Sequence, residues 1–481
     1  MRRCGWISGA TAPPTEHGPG RAGTPWWFRA AVGIVTFVAA AFPCPAAGSN
    51  PPPPALGSGT NDALPHIVLI MTDDLGYADL GCYGAPDIAT PRIDSLARDG
   101  ARLSHFHSPG PVCTPTRAAL LTGRWPQRVG LEWALSASDT EPGLPVEEPI
   151  LSRPLKEVGY RTVMVGKWHL GYRPEFGPNA HGFDEFFGLL SGNVDHYSHR
   201  EINGKEDWYE NTKPVRVEGY STDLLSDRAV AAIQKTAAQP PDQRQPLWLY
   251  VAYNAVHWPF QPPGRPQDIR DRSTWFNGTR ADYVKMVESI DAGVGRILDA
   301  LEAGGMADHT LVIFTNDNGG ERLSDNGPFF HHKGTVWEGG HRVPCLIRWP
   351  GRIAAGTEFG QPTIGMDLTA TILAAAKIPP NPERPLDGVN LVPILRGEVP
   401  CPDRALFWRI DRPNRKQKAA LRGRWKYVVD GSITQLFDLE ADPGERRDLA
   451  YRFPEVARDL QNRLARWEAE MNRAQPRFIV K

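Results

Sequence analysis

Cysteine is scarce, with six in 481 residues and no two of them spaced as CxxC, which excludes a zinc ribbon or a redox dithiol. No HExxH or comparable His/Cys spacing occurs either, so zinc of that kind is the weaker choice of metal. Neither sign of charge is in surplus. Lys+Arg 54 against Asp+Glu 55 give a formal net charge of -1, which excludes a disordered polyelectrolyte and a nucleic-acid binder that relies on a basic face. The apolar run Ala30 to Phe42, AAVGIVTFVAAAF, falls short of the about 20 residues that span a bilayer. Preceded by Arg29 and followed by PCPAAGS, it reads as a secretory signal over residues 1–48, with a Pro- and Gly/Ser-rich tether over 49–63. The chain is therefore expected to be exported, to the periplasm or beyond. Removing 1–48 takes away four Arg and one Glu, moving the charge from -1 to -4 and leaving Cys82, Cys113, Cys345 and Cys401, too few and too scattered for a disulfide framework.

What is abundant is Gly 47 and Pro 46, together about 19% of the chain against a usual share of roughly 12%. Such a chain is rich in ordered loops, where sites are built. With 41% hydrophobic residues a large core is available, and the length suits about three domains or one large α/β domain with a smaller one. Continuous apolar runs mark strands buried on both faces: His66 to Met71, Arg161 to Val165, Leu247 to Tyr253 and Leu311 to Thr315. Helical patterns lie between them, at Pro91 to Asp99, Leu151 to Val158, Asp223 to Thr236 and Tyr283 to Ala303. Alternating strands and helices imply a largely parallel sheet, whose ligands bind beyond the carboxyl ends of the strands.

Those ends carry chemistry. The first run ends in Asp73-Asp74, the second in Lys167-Trp168-His169, the third in Asn254-Ala-Val-His257, the fourth in Asp317-Asn318. Three carboxylates and an amide are hard oxygen ligands suited to Ca2+ or Mg2+. Lysines and histidines beside a dication suit an anionic substrate and proton transfer to a leaving group. Singly, an Asp after a strand is often a helix cap and an Asn-Gly pair a turn; jointly those readings lose force. Between the first two strands lies Val112-Cys113-Thr114-Pro115-Thr116-Arg117, then Leu121-Thr122-Gly123-Arg124. It reads as loop then helix, with Pro115 in the first turn, Cys113 at the positive end and Arg117 one turn on. A plain thiolate nucleophile is conceivable there.

Cys-x-Pro-x-Arg with Leu-Thr-Gly-Arg, together with Thr72-Asp-Asp-Leu-Gly76, Gly166-Lys-Trp-His169, His257-Trp-Pro-Phe260, Asn316-Asp-Asn-Gly319, Lys333-Gly-Thr-Val-Trp-Glu338 and Asp442-Pro-Gly-Glu445 in that order, resembles the formylglycine-dependent (type I, arylsulfatase-like) sulfatase family. The resemblance covers residues from about 64 to 470. It implies an α/β fold, an alkaline-phosphatase-like α/β/α sandwich over 64–400, with a smaller α+β subdomain over 401–481. There Ala419 to Val429 and Ile433 to Leu439 are expected to form a hairpin about Asp430-Gly431, and Pro454 to Arg473 an amphipathic helix. It implies that a maturation enzyme oxidises Cys113 to Cα-formylglycine, and that Asp73, Asp74, Asp317, Asn318 and modified Cys113 hold one Ca2+. Arg117 and Lys167 would stabilise the hydrated aldehyde, whose oxygen attacks sulfur. His257 and Lys333 would serve the leaving group, and His169 would be the base that releases sulfate. The substrate implied is a sulfate ester, of a sulfated carbohydrate by family habit; nucleic acid is not a partner.

Asp195 and His196 in the loop Ser191 to Tyr197, and His331 and His332 before Lys333, are substrate-contact candidates. Trp168, Trp258 and Trp337 could stack on sugar rings or pack in the core. His105 and His107 carry no metal spacing and read as structural, and Asn277-Gly-Thr279 is a sequon. Two rivals stand: a phosphonate or phosphate ester hydrolase of the same fold, and an inactive carbohydrate-binding homologue.

Overall fold

A computed structural model describes residues 63–136, 143–266 and 271–474. The expected signal segment, and all of the tether but Ala63, lie outside the described residues. Among those described, a ten-stranded sheet forms the centre. Its eight longer strands are β1 (His66–Thr72), β2 (Ala101–Leu103), β3 (Arg161–Lys167), β4 (Glu185–Leu189), β5 (Leu247–Ala252), β6 (Thr310–Asn316), β7 (Cys345–Arg348) and β8 (Thr357–Phe359). Their order is β8-β2-β7-β6-β1-β5-β3-β4, followed by the two-residue strands Tyr209–Glu210 and Lys213–Pro214. The run β6-β1-β5-β3-β4 is parallel throughout, as the apolar strand sequences require.

Each parallel strand alternates its side chains between two cores. Ile67, Leu69 and Met71 of β1 pack with α2 (Cys113–Thr122), α3 (Ser152–Glu157) and α6 (Gly365–Ala375). Val68 and Ile70 face the other way, onto α1 (Pro91–Arg98), α4 (Ser221–Ala237) and α5 (Arg280–Ala303). The result is a three-layer α/β/α sandwich. At Gly166 φ is +110°, and a Cβ there would come within 1.9 Å of Ala252 O. Only glycine lets β3 and β5 run this close just before Lys167.

A third core belongs to an antiparallel sheet in sequence order, β9 (Ala405–Arg412), β10 (Arg415–Arg422), β11 (Trp425–Asp430) and β12 (Ile433–Asp438), covered by α7 (Pro454–Ala474). The turn at Asp430-Gly431 lies where expected, with Asp430 paired to Ile433. The expected single strand Ala419 to Val429 is instead two strands. Gly423, at φ +56°, takes the left-handed conformation that folds β10 back onto β11. Cys82, Cys113, Cys345 and Cys401 are all free thiols. No described helix is long and apolar enough to cross a membrane.

Candidate functional site

The carboxyl ends of β6, β1, β5 and β3 lie side by side, and the polar residues that follow them meet beyond one sheet edge. Asp73 and Asp74 leave β1, Asp317 and Asn318 leave β6, Lys167 ends β3, and His257 lies five residues past β5. The turn after β1 is pinned by Asn316, whose Oδ1 accepts from Thr72 Oγ1 at 2.8 Å and Leu75 N at 3.2 Å. Asp74 there adopts φ 61°, which aspartate tolerates better than most residues. Helix α2 enters the same space with Cys113 as its first residue and buried Arg117 one turn on.

The contacts are short. Lys167 Nζ donates to Asp73 Oδ2 at 2.5 Å, and Lys333 Nζ donates to Asp74 Oδ2 at 2.7 Å. Arg117 donates through Nε and Nη2 to Asp317 Oδ2 at 3.2 and 2.8 Å, and through Nη1 to Lys167 O at 3.1 Å. Asn318 Nδ2 donates to Asp74 Oδ1 at 2.7 Å. Cys113 Sγ lies 3.6 Å from Asp73 Oδ1. His257 Nε2 lies 3.5 Å from Asp74 Oδ2 while its Nδ1 meets Trp258 O at 2.8 Å. His169 Nε2 meets Leu135 O at 2.8 Å, and its buried Nδ1 has no partner.

Burial and the neighbouring Asp317 push Asp73 well above the usual carboxylate range. Burial acts to raise Asp317 as well, but Arg117 and Lys167 outweigh it and hold it low. Burial and adjacent lysines hold His169 and His257 neutral, Lys167 acting on the first and Lys333 chiefly on the second. With Nε2–H given to a carbonyl, His169 keeps a lone pair on Nδ1. Burial also pushes the Cys113 thiol up. A buried thiol held protonated is a poor nucleophile, so the plain-thiolate alternative loses its support.

The residues fit a divalent cation. Asp73, Asp74, Cys113 and His257 bring potential ligand atoms within 4.8 Å of one another. Asn318 Oδ1 is buried without a hydrogen-bond partner, an acceptor whose desolvation a cation would offset. Crowded buried carboxylates, one of them pushed toward its neutral form, are the same signature.

Asp195 and His196 are buried, and neighbouring groups occupy their polar atoms. Asp195 is 1% exposed and accepts from Tyr197 N, Ser198 N and Gln261 Nε2. His196, fully buried, meets Ser221 Oγ at 2.8 Å. Their polarity is consumed in holding the loop, which is why the expectation of substrate contact does not suit them. His331 and His332 are exposed beside Lys333. Trp168 and Trp337 are buried in the cores, and Trp258 is half-buried with its ring tilted 44° to that of His257, centroids 4.5 Å apart. Sequence reasoning missed Glu321, which burial and Asp74 push upward beside Lys333 and His332; an acid three residues beyond Asn318 was its available signal.

A family model described as Sulfatase matches residues 65–378, and one described as N-sulphoglucosamine sulphohydrolase, C-terminal, matches 327–470. N-acetylgalactosamine-6-sulfatase of Homo sapiens is 37% identical over 380 residues, covering 73% of this chain and 70% of that one. Arylsulfatase A of Homo sapiens is 34% identical over 471 residues, covering 85% and 88%. The crystal structure of Ps i-CgsB in complex with k-i-k-neocarrahexaose superposes with a TM-score of 0.77 at 33% identity, covering 84% of this chain and 93% of that one. The phosphonate monoester hydrolase of Agrobacterium radiobacter, at 20% identity and TM-score 0.62 over 85% of this chain and 96% of that one, shares the fold alone.

Proposed function

This chain belongs to the sulfatase family and is a sulfuric ester hydrolase, and on that premise we propose that it cleaves a sulfate ester of a sulfated carbohydrate through residue 113. The observation that carries this reading is the meeting of Cys113 with Asp73, Asp74, Asp317, Lys167, Lys333 and Arg117 at one buried strand edge. Three carboxylates balance three cations there, so a bound dication leaves the pocket positive although the whole chain is nearly neutral. Anion selection is local.

In this reading a maturation enzyme converts Cys113 to Cα-formylglycine, whose hydrate supplies a geminal-diol nucleophile, and one Ca2+ among Asp73, Asp74, Asp317, Asn318 and residue 113 supplies Lewis-acid polarisation of a sulfate oxygen. Arg117 and Lys167 place positive charge beside residue 113 and favour loss of a proton there. Lys333 and His257 converge on the same Asp74 oxygen. Lys333 offers an N–H donor to the oxygen of the departing alcohol, and His257, whose Nδ1–H is held by Trp258 O, serves there as an acid only once Nε2 has taken a proton. His169 is the base that releases sulfate in this reading, which its unpartnered Nδ1 supports. His332 remains the substrate-contact candidate at the rim, and Asp195 and His196 act from behind by holding their loop. The reading includes export of the chain and the division into 64–400 and 401–481.

Support for a saccharide substrate comes from the relatives, one named for N-acetylgalactosamine 6-sulfate and one solved with a neocarrahexaose. A phosphonate ester is the second reading, favoured only by a shared fold. The test compares sulfate release from a panel of defined sulfated saccharides with turnover of a phosphonate diester on one preparation. Mass spectrometry follows the peptide around Cys113. Saccharide sulfate release that drops by about three orders of magnitude or more in Cys113→Ala is expected. Retained activity in that variant, unmodified thiol in active protein, or faster phosphonate turnover would overturn the proposal.

A further inference from the structure

The turn between β9 and β10, Pro413-Asn414, carries an arginine on each side, Arg412 and Arg415, paired across the two strands and both exposed. It touches the segments that carry site residues. Arg415 Nη1 donates to Gly334 O at 2.5 Å, and Gly334 directly follows Lys333. Gly334 N in turn donates to Pro111 O at 2.8 Å, two residues before Cys113. Arg412 lies over the ring of Trp133, 5.2 Å from its centroid. Trp133 is two residues before Leu135, whose carbonyl meets His169 and whose N–H donates to Thr114 Oγ1. Both guanidinium groups are thus braced against segments that form the site wall.

Neither arginine forms an ion pair among the described residues. Among the neighbouring charges, Lys416 is matched with Asp411, Lys418 with Glu468 and Arg409 with Glu132, and Asp430 accepts from Gln417 Nε2 at 2.8 Å. Two braced, unpaired guanidinium groups beside these segments are a fork for an oxyanion, and bracing reduces the ordering entropy lost when one binds.

We propose that Arg412 and Arg415 form a second anion subsite, which takes a sulfate or carboxylate on a sugar neighbouring the one whose ester is cut. This rests on the reading of the chain as a carbohydrate sulfatase and adds that the substrate is a polyanionic oligosaccharide. A monosaccharide sulfate reaches Lys333 but leaves the arginine pair unused. Because both groups are exposed, their attraction is screened by salt.

The test uses the Cys113→Ala full-length chain, in which binding is measured without turnover. It is titrated at several salt concentrations with a chondroitin 6-sulfate tetrasaccharide, which carries carboxylates and sulfates, and with a carrageenan hexasaccharide, whose anions are sulfates alone. Adding Arg412→Gln and Arg415→Gln is expected to weaken binding of at least one by about ten-fold and to flatten its salt dependence. Loss on the tetrasaccharide alone assigns the subsite to carboxylate; loss on the hexasaccharide assigns it to sulfate. Arg412→Gln alone disturbs no hydrogen bond to the wall and should give part of the effect. In the catalytically competent protein, the ratio of kcat/KM for the saccharide over that for 4-methylumbelliferyl sulfate should fall to a similar degree. Equal affinity with and without the arginines, or no binding of either saccharide, overturns the proposal. Arginine-dependent binding by a protein that cleaves 4-methylumbelliferyl sulfate but releases sulfate from neither saccharide would overturn the carbohydrate-sulfatase reading and leave the subsite standing.

Discussion

At the scale of single residues, the site is a problem in burying charge, and Asn318 shows how it is solved. Its Nδ2 is spent on Asp74, while Oδ1 faces a buried space with no donor. An orphan acceptor of this kind costs about 1–3 kcal/mol unless filled. Metal-stripped protein should therefore gain thermal stability when Ca2+ is added, by mass action on the folded state. Asn318→Leu removes the acceptor at similar volume and should raise the Ca2+ concentration needed for half the gain by ten-fold or more. An identical titration in the variant would remove Asn318 from the ligand set. The chemistry of this residue was readable in the sequence, because an Asn after Asp at a strand end offers an oxygen ligand. What could not be read was which amide atom is spoken for, since that depends on Asp74, more than 240 residues away in the chain. Asp195 and His196 make the converse case. Their side-chain types suit substrate contact, but Gln261 and Ser221 occupy them, and those partners lie on segments that only the fold brings near.

At the scale of elements, the C-terminal sheet supports the catalytic loops through one buried lysine. Lys426 on β11 is fully buried and pairs with Glu338 Oε1 at 2.8 Å and Glu445 Oε1 at 2.9 Å. Glu338 opens the helical turn Glu338–His341 and also holds Arg342 at 2.9 Å. That turn presents Gly340 O to Gly319 N at 2.9 Å, one residue after Asn318. A Cβ on Gly319 would come within 1.8 Å of Gly339 O, so the two loops touch backbone to backbone. Lys426→Ala leaves Glu338 with Arg342 alone and Glu445 without its ion-pair partner. A loss of about 3–5 kcal/mol is expected from denaturant unfolding, together with weaker Ca2+ binding because Asn318 loses its support. A loss below about 1 kcal/mol would show that the network is not holding the loop. The strands and helices themselves were largely legible, because continuous apolar runs and 3.6-residue periods are local signals. The β10–β11 turn was not, since Arg422-Gly423-Arg424 has no Asn-Gly or Asp-Gly signature and its glycine reads as strand interior.

At the scale of the whole molecule, the pH dependence of stability is a contest between two buried populations. Burial lowers His66, His181 and His196 to about 4. Between about pH 6.5 and 4 the unfolded chain binds protons there that the folded chain refuses, so stability falls as pH falls. Glu445, raised to about 7 chiefly by burial, acts in the opposite sense. Its folded form holds a proton that the unfolded chain has lost, so its share of stability disappears as pH rises from about 4.5 to 7. His66→Gln should therefore narrow its stability deficit against the native chain as pH falls through the first window, by about 1.4 kcal/mol per pH unit at most. Glu445→Gln should narrow its own deficit as pH rises through the second. Urea midpoints at pH 5 and 7 measure both, and parallel shifts in the two variants would refute the assignment. None of this balance shows in the near-neutral composition, since net charge does not say which groups are buried. By itself, the sequence determined the parallel sheet, the order of its strands along the chain and the chemical types at their ends, because apolar runs, turn residues and motifs act over a few positions. Only the tertiary structure decided which of those side chains are already satisfied, which amide oxygen is left open, and that a hairpin near residue 413 touches the segments that carry site residues. Those facts follow from contacts between residues far apart in sequence, which no local pattern encodes.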